Sequence, residues 1–131
     1  MTSDEKFYFS DSHEWISKRP GGGYDIGISD FAQSELGDIV YITLPETGKT
    51  YKKGDKIGEI ESVKSVSEIY APVSLKVLSV NSKLNEASEL INSDPYRGGY
   101  IATVEPLDAG DINSLMDKND YESFVASAGP H

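Results

Sequence analysis

The segment Ile57-Gly58-Glu59-Ile60-Glu61-Ser62-Val63-Lys64-Ser65-Val66-Ser67-Glu68-Ile69-Tyr70-Ala71-Pro72-Val73 decides the fold. Residues 57–60 and 68–70 alternate apolar and polar side chains, as half-buried strands do. The intervening residues 61–67 are short and polar enough to reverse the chain, so the segment reads as a hairpin over about 57–73 with Lys64 at its tip.

The flanking sequence has the same character. Residues 38–44 (DIVYITL) are β-branched and aromatic and stop at Pro45, and residues 47–55 are turn-rich. In residues 73–80, Val73, Leu75 and Val77 share one face, while Leu78 and Val80 fall one step out of phase. Residues 38–57 and 68–84 echo each other weakly as two hairpin-bearing halves joined at 61–67, which puts that joint at one extremity of the molecule.

Towards the N-terminus, residues 7–9, 14–17 and 24–28 read as strands, with Pro20-Gly21-Gly22-Gly23 as a turn. Asp30 is expected to cap a short helix over about 30–36 that Gly37 stops. Towards the C-terminus, Asn85 is expected to cap a helical turn over 86–91, and residues 100–104 form a last strand. Residues 111–116 and 120–125 have helical spacing with Ile112, Leu115, Met116, Tyr121 and Phe124 facing inward, and the tail 126–131, ending in His131, is expected to be loose. Short strands separated by turns predict a mostly β, α+β fold: a flattened barrel or sandwich with a helix near 30–36 and a helical segment over about 111–126.

Composition narrows the function. A chain of 131 residues is expected to form one domain, 1–131. It contains no cysteine, which excludes disulfides, thiolate metal sites and a catalytic thiol, so sulfur redox chemistry would need a cofactor. With only two histidines, a His-rich metal site is excluded as well. Twenty-two acidic against 12 basic residues give a net charge of −10, which disfavours nucleic acid and anionic membranes and favours proteins with basic patches. No apolar run is long enough to span a bilayer. The opening MTSDEKFYFS lacks the features of a secretory or transit peptide, so the chain is expected to work where it is made or after trimming.

The stretch from Glu59 to Ser74 resembles the lipoylation site of the glycine cleavage H-protein family, E-S-V-K-x-x-S-[DE]-x-x-[AS]-P-[VIL]-S. Ser12-His13-Glu14-Trp15, the block from Gly27 to Val40 and Leu90-Ile91-Asn92-Ser93-Asp94-Pro95-Tyr96 extend the resemblance over roughly residues 7–125. It implies a lipoyl-domain-like barrel-sandwich hybrid that carries lipoic acid on Lys64 and catalyses nothing itself. Physical chemistry agrees, because a swinging arm needs one primary amine on a fixed turn, clear of the surface. Biotin carriers of similar architecture flank the lysine with methionines; Val63 and Ser65 stand here, which favours lipoate.

The resemblance also implies the partners. A pyridoxal-phosphate glycine decarboxylase (the P protein) loads the arm, a tetrahydrofolate-dependent aminomethyltransferase (the T protein) takes the carbon, and dihydrolipoyl dehydrogenase (the L protein) reoxidises the dithiol. A lipoate–protein ligase or octanoyltransferase attaches the arm. The implied location is the bacterial cytoplasm, or the mitochondrial matrix for a mature eukaryotic form. Family members fold the loaded arm into a cleft; by position Ser12, Glu14 and Glu68 are expected to line it, with either carboxylate holding the new ammonium. Glu14 also reads as a solvated strand carboxylate, and Glu68 as a residue that tunes the hairpin or guides the ligase. His13 is expected to be structural and Trp15 to be core.

Two departures stand out. Leu75 replaces the family's usual Gly, and Arg97-Gly98-Gly99-Tyr100 replaces a more acidic block. They leave open an H-like relay module that donates lipoate to other 2-oxoacid dehydrogenase complexes. A free-standing enzyme lacks any phosphate loop, triad or histidine pair to work with.

Overall fold

The computed structural model describes residues 6–127; expectations placed on 1–5 and 128–131, His131 among them, lie outside the described residues. The strands are β1 (Phe7–Phe9), β2 (Glu14–Lys18), β3 (Tyr24–Ile28), β4 (Ile39–Thr43), β5 (Thr50–Tyr51), β6 (Lys56–Ser62), β7 (Val66–Tyr70), β8 (Leu75–Val80) and β9 (Ala102–Pro106). They are joined by helices α1 (Asp30–Leu36), α2 (Leu90–Ser93) and α3 (Lys118–Ser127). Six strands form one antiparallel sheet in the order β1-β2-β3-β9-β8-β5, and three form a second, β4-β6-β7. Mostly β with short helices is therefore the observed class.

The core lies between the sheets. Ile16, Ile26, Val77 and Val104 come from the larger sheet and Ile42, Ile60 and Ile69 from the smaller, all 2% exposed or less. Alternation selects them: each is two residues from its next inward neighbour or opposite one across the ladder. The phase change anticipated in β8 is real, because a register shift between Val77 and Ser79 leaves Leu78 on the surface. Strand β2 breaks alternation, with all of Glu14, Trp15, Ile16 and Ser17 buried. The outer face of this strand is covered by a second cluster in which Phe9, Trp15 and Tyr121 pack with Phe7 and Tyr96. Trp15 is core, as expected, and its indole N–H donates to the Pro95 carbonyl.

Several boundaries differ from the sequence reading. Ser29, not Asp30, caps α1: its hydroxyl accepts from the Ala32 N–H, and Asp30 is the first helical residue. The helical turn expected over 86–91 is replaced by a 3-10 turn, Ser82–Asn85, and by α2. The buried apolar anchors are Leu84 and Ile91, seven residues apart, and the chain winds one short turn around each. The last strand starts two residues later than expected, at β9, because the Tyr100 N–H closes a turn on the Arg97 carbonyl. Residues Ala109–Ser114 form a 3-10 helix rather than an α-helix, and α3 carries Ala126 and Ser127 that were expected in a loose tail.

Candidate functional site

Lys64 stands on a two-residue hairpin loop. Glu61 pairs with Val66, and the Ser62 N–H donates to the Ser65 carbonyl at 2.8 Å, leaving Val63 and Lys64 at the tip. The Ser62 side chain organises this turn. Its hydroxyl accepts from the N–H groups of Lys64 (3.3 Å) and Ser65 (3.1 Å), satisfying donors that a bare turn leaves to water. The Val63 N–H is held by the Asp38 carbonyl at 3.0 Å, which ties the tip to the start of β4. Lys64 is exposed and forms no ion pair with any described residue.

The stem of Lys64 crosses Gly37: a Cβ built there would lie 3.4 Å from the lysine Cε. Gly37 ends α1 at φ 80°, a left-handed conformation that only glycine adopts without strain. Asn92 fixes this junction. Its amide donates to the Gly37 carbonyl (3.0 Å) and to Gln33 Oε1 (2.9 Å), while its Oδ1 accepts from the Ile39 N–H (2.9 Å). Helix α1, the root of β4 and α2 thus meet in one polar clamp beside the lysine.

Beside the hairpin lies a cleft of about 370 Å³. One wall is α1, with Phe31, Ala32, Glu35 and Leu36; the other is β6 and β7, with Ile60, Ser67, Glu68 and Ile69; Ser12, His13 and Glu14 close one side. The three residues expected from the sequence, Ser12, Glu14 and Glu68, therefore line one cavity, but they occupy different environments.

Glu14 is 3% exposed and is the buried carboxylate among them. Its Oε1 accepts from the Ser10 and Ser12 hydroxyls and its Oε2 from the Tyr70 N–H at 3.0 Å. Burial pushes its pKa up, and these hydrogen bonds oppose the shift. Three donors against about four lone-pair sites leave room for one more on Oε2. The solvated alternative for Glu14 is thereby excluded. Glu68 sits at the rim: its carboxylate accepts from the Tyr70 hydroxyl at 2.6 Å and stands 3.7 Å from Lys56. The Tyr70 bond, then the lysine charge, holds its pKa below the usual value.

His13 is structural in its contacts. Its Nδ1 is 2.7 Å from the Tyr121 hydroxyl, which is also 2.7 Å from the Ser29 hydroxyl that caps α1. The C-terminal helix α3 is thereby bonded to the cap of the α1 wall and to the side of the cleft that His13 closes. His13 has φ 76°, unusual for a residue with a Cβ, and its carbonyl accepts from the Ser29 N–H. Burial lowers its pKa against the raising influence of Asp11 and Glu35. Sequence reasoning missed Ser10, Tyr70, Asn92 and Tyr121 as parts of the site. Only the hydrogen-bonding type of Ser10 and Asn92 hinted at such roles; Ser10 reaches Glu14 four residues along, whereas Tyr70, Asn92 and Tyr121 act across long chain separations.

Among the described residues, no cluster of His, Asp and Glu could hold a metal, and no helix is long and apolar enough to cross a membrane. Comparison with known proteins adds three findings. The family model described as "Glycine cleavage H-protein" matches residues 7–128. Glycine cleavage system H proteins of Listeria monocytogenes and of an Anaeromyxobacter strain are 49% and 46% identical over 125 residues. These alignments cover 95% of this chain and 99% and 97% of the relatives. A crystal structure of a glycine cleavage system H protein from Mycobacterium marinum superposes with TM-score 0.83 at 33% identity, covering 96% of this chain and 99% of that one. The shared architecture is the lipoyl-domain-like barrel-sandwich, with sheets that do not close. On the family match and on relatives nearly half identical along almost their whole length, the chain belongs to the glycine cleavage H-protein family.

Proposed function

We propose that the chain is a lipoyl carrier of a glycine cleavage system, a single non-catalytic domain of the bacterial cytoplasm, with lipoic acid in amide linkage to Lys64 Nζ. The observation that carries this reading is the placement of an exposed, unpaired lysine on a two-residue tip beside a cleft that holds a buried carboxylate. Acylation removes the lysine charge, and no described partner is left unpaired by that loss.

Once attached, the dithiolane supplies the sulfur chemistry by which the aminomethyl group of glycine travels from the P protein to the T protein and the dithiol returns to oxidised form at the L protein. The residues of the chain do the rest. Phe31, Ala32, Leu36 and Ile60 offer an apolar channel to the methylenes of an arm, worth about 0.8 kcal/mol per methylene buried. Glu14, with its spare lone pair, accepts a bond from an ammonium brought into the cleft, adding about 1.5–3 kcal/mol. Ser12 and Glu68 line the same cavity, with Glu68 at its rim. A net preference of about 2 kcal/mol for the docked arm already exceeds tenfold, and it excludes water from a hydrolysable load while still allowing release.

The test is intact mass and peptide mapping after treatment with a lipoate–protein ligase, followed by reconstitution with the glycine decarboxylase. Acylation on Lys64 and acceptance of the aminomethyl group support the reading. Acylation elsewhere overturns it. Full acylation without acceptance from the decarboxylase assigns the chain instead to the relay role, passing lipoate to other dehydrogenase complexes.

A further inference from the structure

Beyond the core, the inner face of the larger sheet runs on into a second cavity. Register places Tyr8, Ile16 and Ile26 in one row across β1, β2 and β3, and pairs Lys18 with Tyr24 in the next row on the same face. Ile16 and Ile26 are buried, whereas Tyr24 is half-buried and Lys18 exposed, so the face opens where the isoleucines end. There a cavity of about 580 Å³ lies between these strands, the turn after β2 and Ile112 of the 3-10 helix. It shares no residue with the 370 Å³ cleft beside Lys64 and lies at the opposite end of β2 from Glu14.

The charge of this cavity inverts that of the chain. Acidic residues outnumber basic ones by 22 to 12, yet Lys6, Lys18 and Arg19 line the cavity and no Asp or Glu does. Arg19 is engaged elsewhere: its guanidinium donates to the Thr103 hydroxyl at 2.9 Å and stands 3.6 Å from Asp25. Lys6 and Lys18 form no ion pair with any described residue, and the hydroxyls of Tyr8 and Tyr24 make no hydrogen bond to one. Gly21 and Gly22 leave bare backbone along the rim, with no atom within 4 Å of a Cβ placed on either.

Two ammoniums, two phenol hydroxyls and an apolar floor select a ligand by class. With Arg19 engaged, no free guanidinium fork is offered to a flat carboxylate; ammoniums act as compact point charges, which suit a phosphate. A phosphate monoester carries about −1.5 to −2 charges at pH 7, which matches two lysines. The rings of Tyr8 and Tyr24 pack against the same core cluster as Ile112 and give an apolar surface with polar edges, complementary to a heterocyclic ring. The volume lies within the roughly 300–1,000 Å³ of small-molecule sites. We propose that this cavity binds a phosphorylated heterocycle, of which a nucleoside monophosphate is the simplest kind, with the phosphate held by Lys6 and Lys18 and the ring against Tyr8 and Tyr24. The site is independent of the reading of Lys64.

The experiment titrates the full-length chain, in phosphate-free buffer, with adenosine monophosphate, with adenosine and with inorganic phosphate, read by calorimetry and by amide NMR shifts. It compares wild type, Lys18→Gln, Lys6→Gln, the double lysine variant, Tyr24→Leu, and Lys83→Gln as an exposed lysine outside the cavity. Circular dichroism melts check that each variant folds. Adenosine monophosphate is expected to bind saturably, with adenosine and inorganic phosphate each at least tenfold weaker. Either single lysine variant and Tyr24→Leu are expected to weaken binding three- to tenfold and the double variant more than tenfold, with Lys83→Gln within twofold of wild type. Shift changes are expected at 6–8, 18–24 and 109–113. Absence of saturable binding, inorganic phosphate binding as tightly as the nucleotide, or folded lysine variants within twofold of wild type overturns the site.

Discussion

Glu14 and Tyr70 join the two sheets: a carboxylate buried at the start of β2 accepts the backbone N–H of the last residue of β7 at 3.0 Å. Two serine hydroxyls complete its shell. The same side chain thus fastens the edge strand of the small sheet and presents an acceptor to the cleft, so structure and proposed function load one residue.

Glu14→Ala removes the acceptor from three donors at once. An unfolding free energy lower by about 1–3 kcal/mol is expected in urea titration, together with normal acylation of Lys64. The aminomethyl-loaded carrier is expected to hydrolyse faster in this variant. An unchanged hydrolysis lifetime would remove Glu14 from the cleft's function.

The pH dependence of Glu14 has a definite sign. Burial raises its folded pKa above the usual 4.5, so the folded chain binds this proton more tightly than the unfolded chain. Its contribution to stability is fully present below pH 4.5 and is lost as pH rises through the folded value. Urea midpoints of wild type and Glu14→Gln, compared from pH 4 upward, are expected to show this loss in wild type and its absence in the variant.

Histidine 13 runs the other way. Its lowered pKa means that the unfolded chain takes up the proton first, so stability falls as pH drops from 6.5 to the folded value and stays at that lower level beneath it. NMR titration of the ring is expected to give a midpoint under 6.5. Tyr121→Phe, which deletes the hydroxyl shared with Ser29, is expected to cost about 1–3 kcal/mol and to move that midpoint.

Lys64→Arg is expected to fold within about 0.5 kcal/mol of wild type, since the side chain is exposed, and to accept no acyl group. Mass spectrometry after ligase treatment reads this directly.

Leu75, where the resemblance implied a glycine, is fully buried in the core. Leu75→Ala is expected to destabilise by about 2–5 kcal/mol in denaturant titration without altering acylation of Lys64.

What the chain's own order of residues determined is the local grammar. The alternation in 57–60 and 68–70 and the two polar serines around Val63-Lys64 suffice to specify a hairpin with a lysine tip, because period-2 patterning and turn chemistry act over a few residues. The helix at 30–36 was legible for the same reason, although its cap was displaced by one residue, since Ser29 is held by Tyr121 from far along the chain. The tertiary structure alone decided that Glu14 is buried and meets Tyr70, that Asn92 clamps α1 to β4, and that the C-terminal helix braces the cleft. Those partners are 53 to 108 residues apart. No local pattern encodes such pairings; they exist only once burial has excluded water and each polar group must find a partner inside the fold.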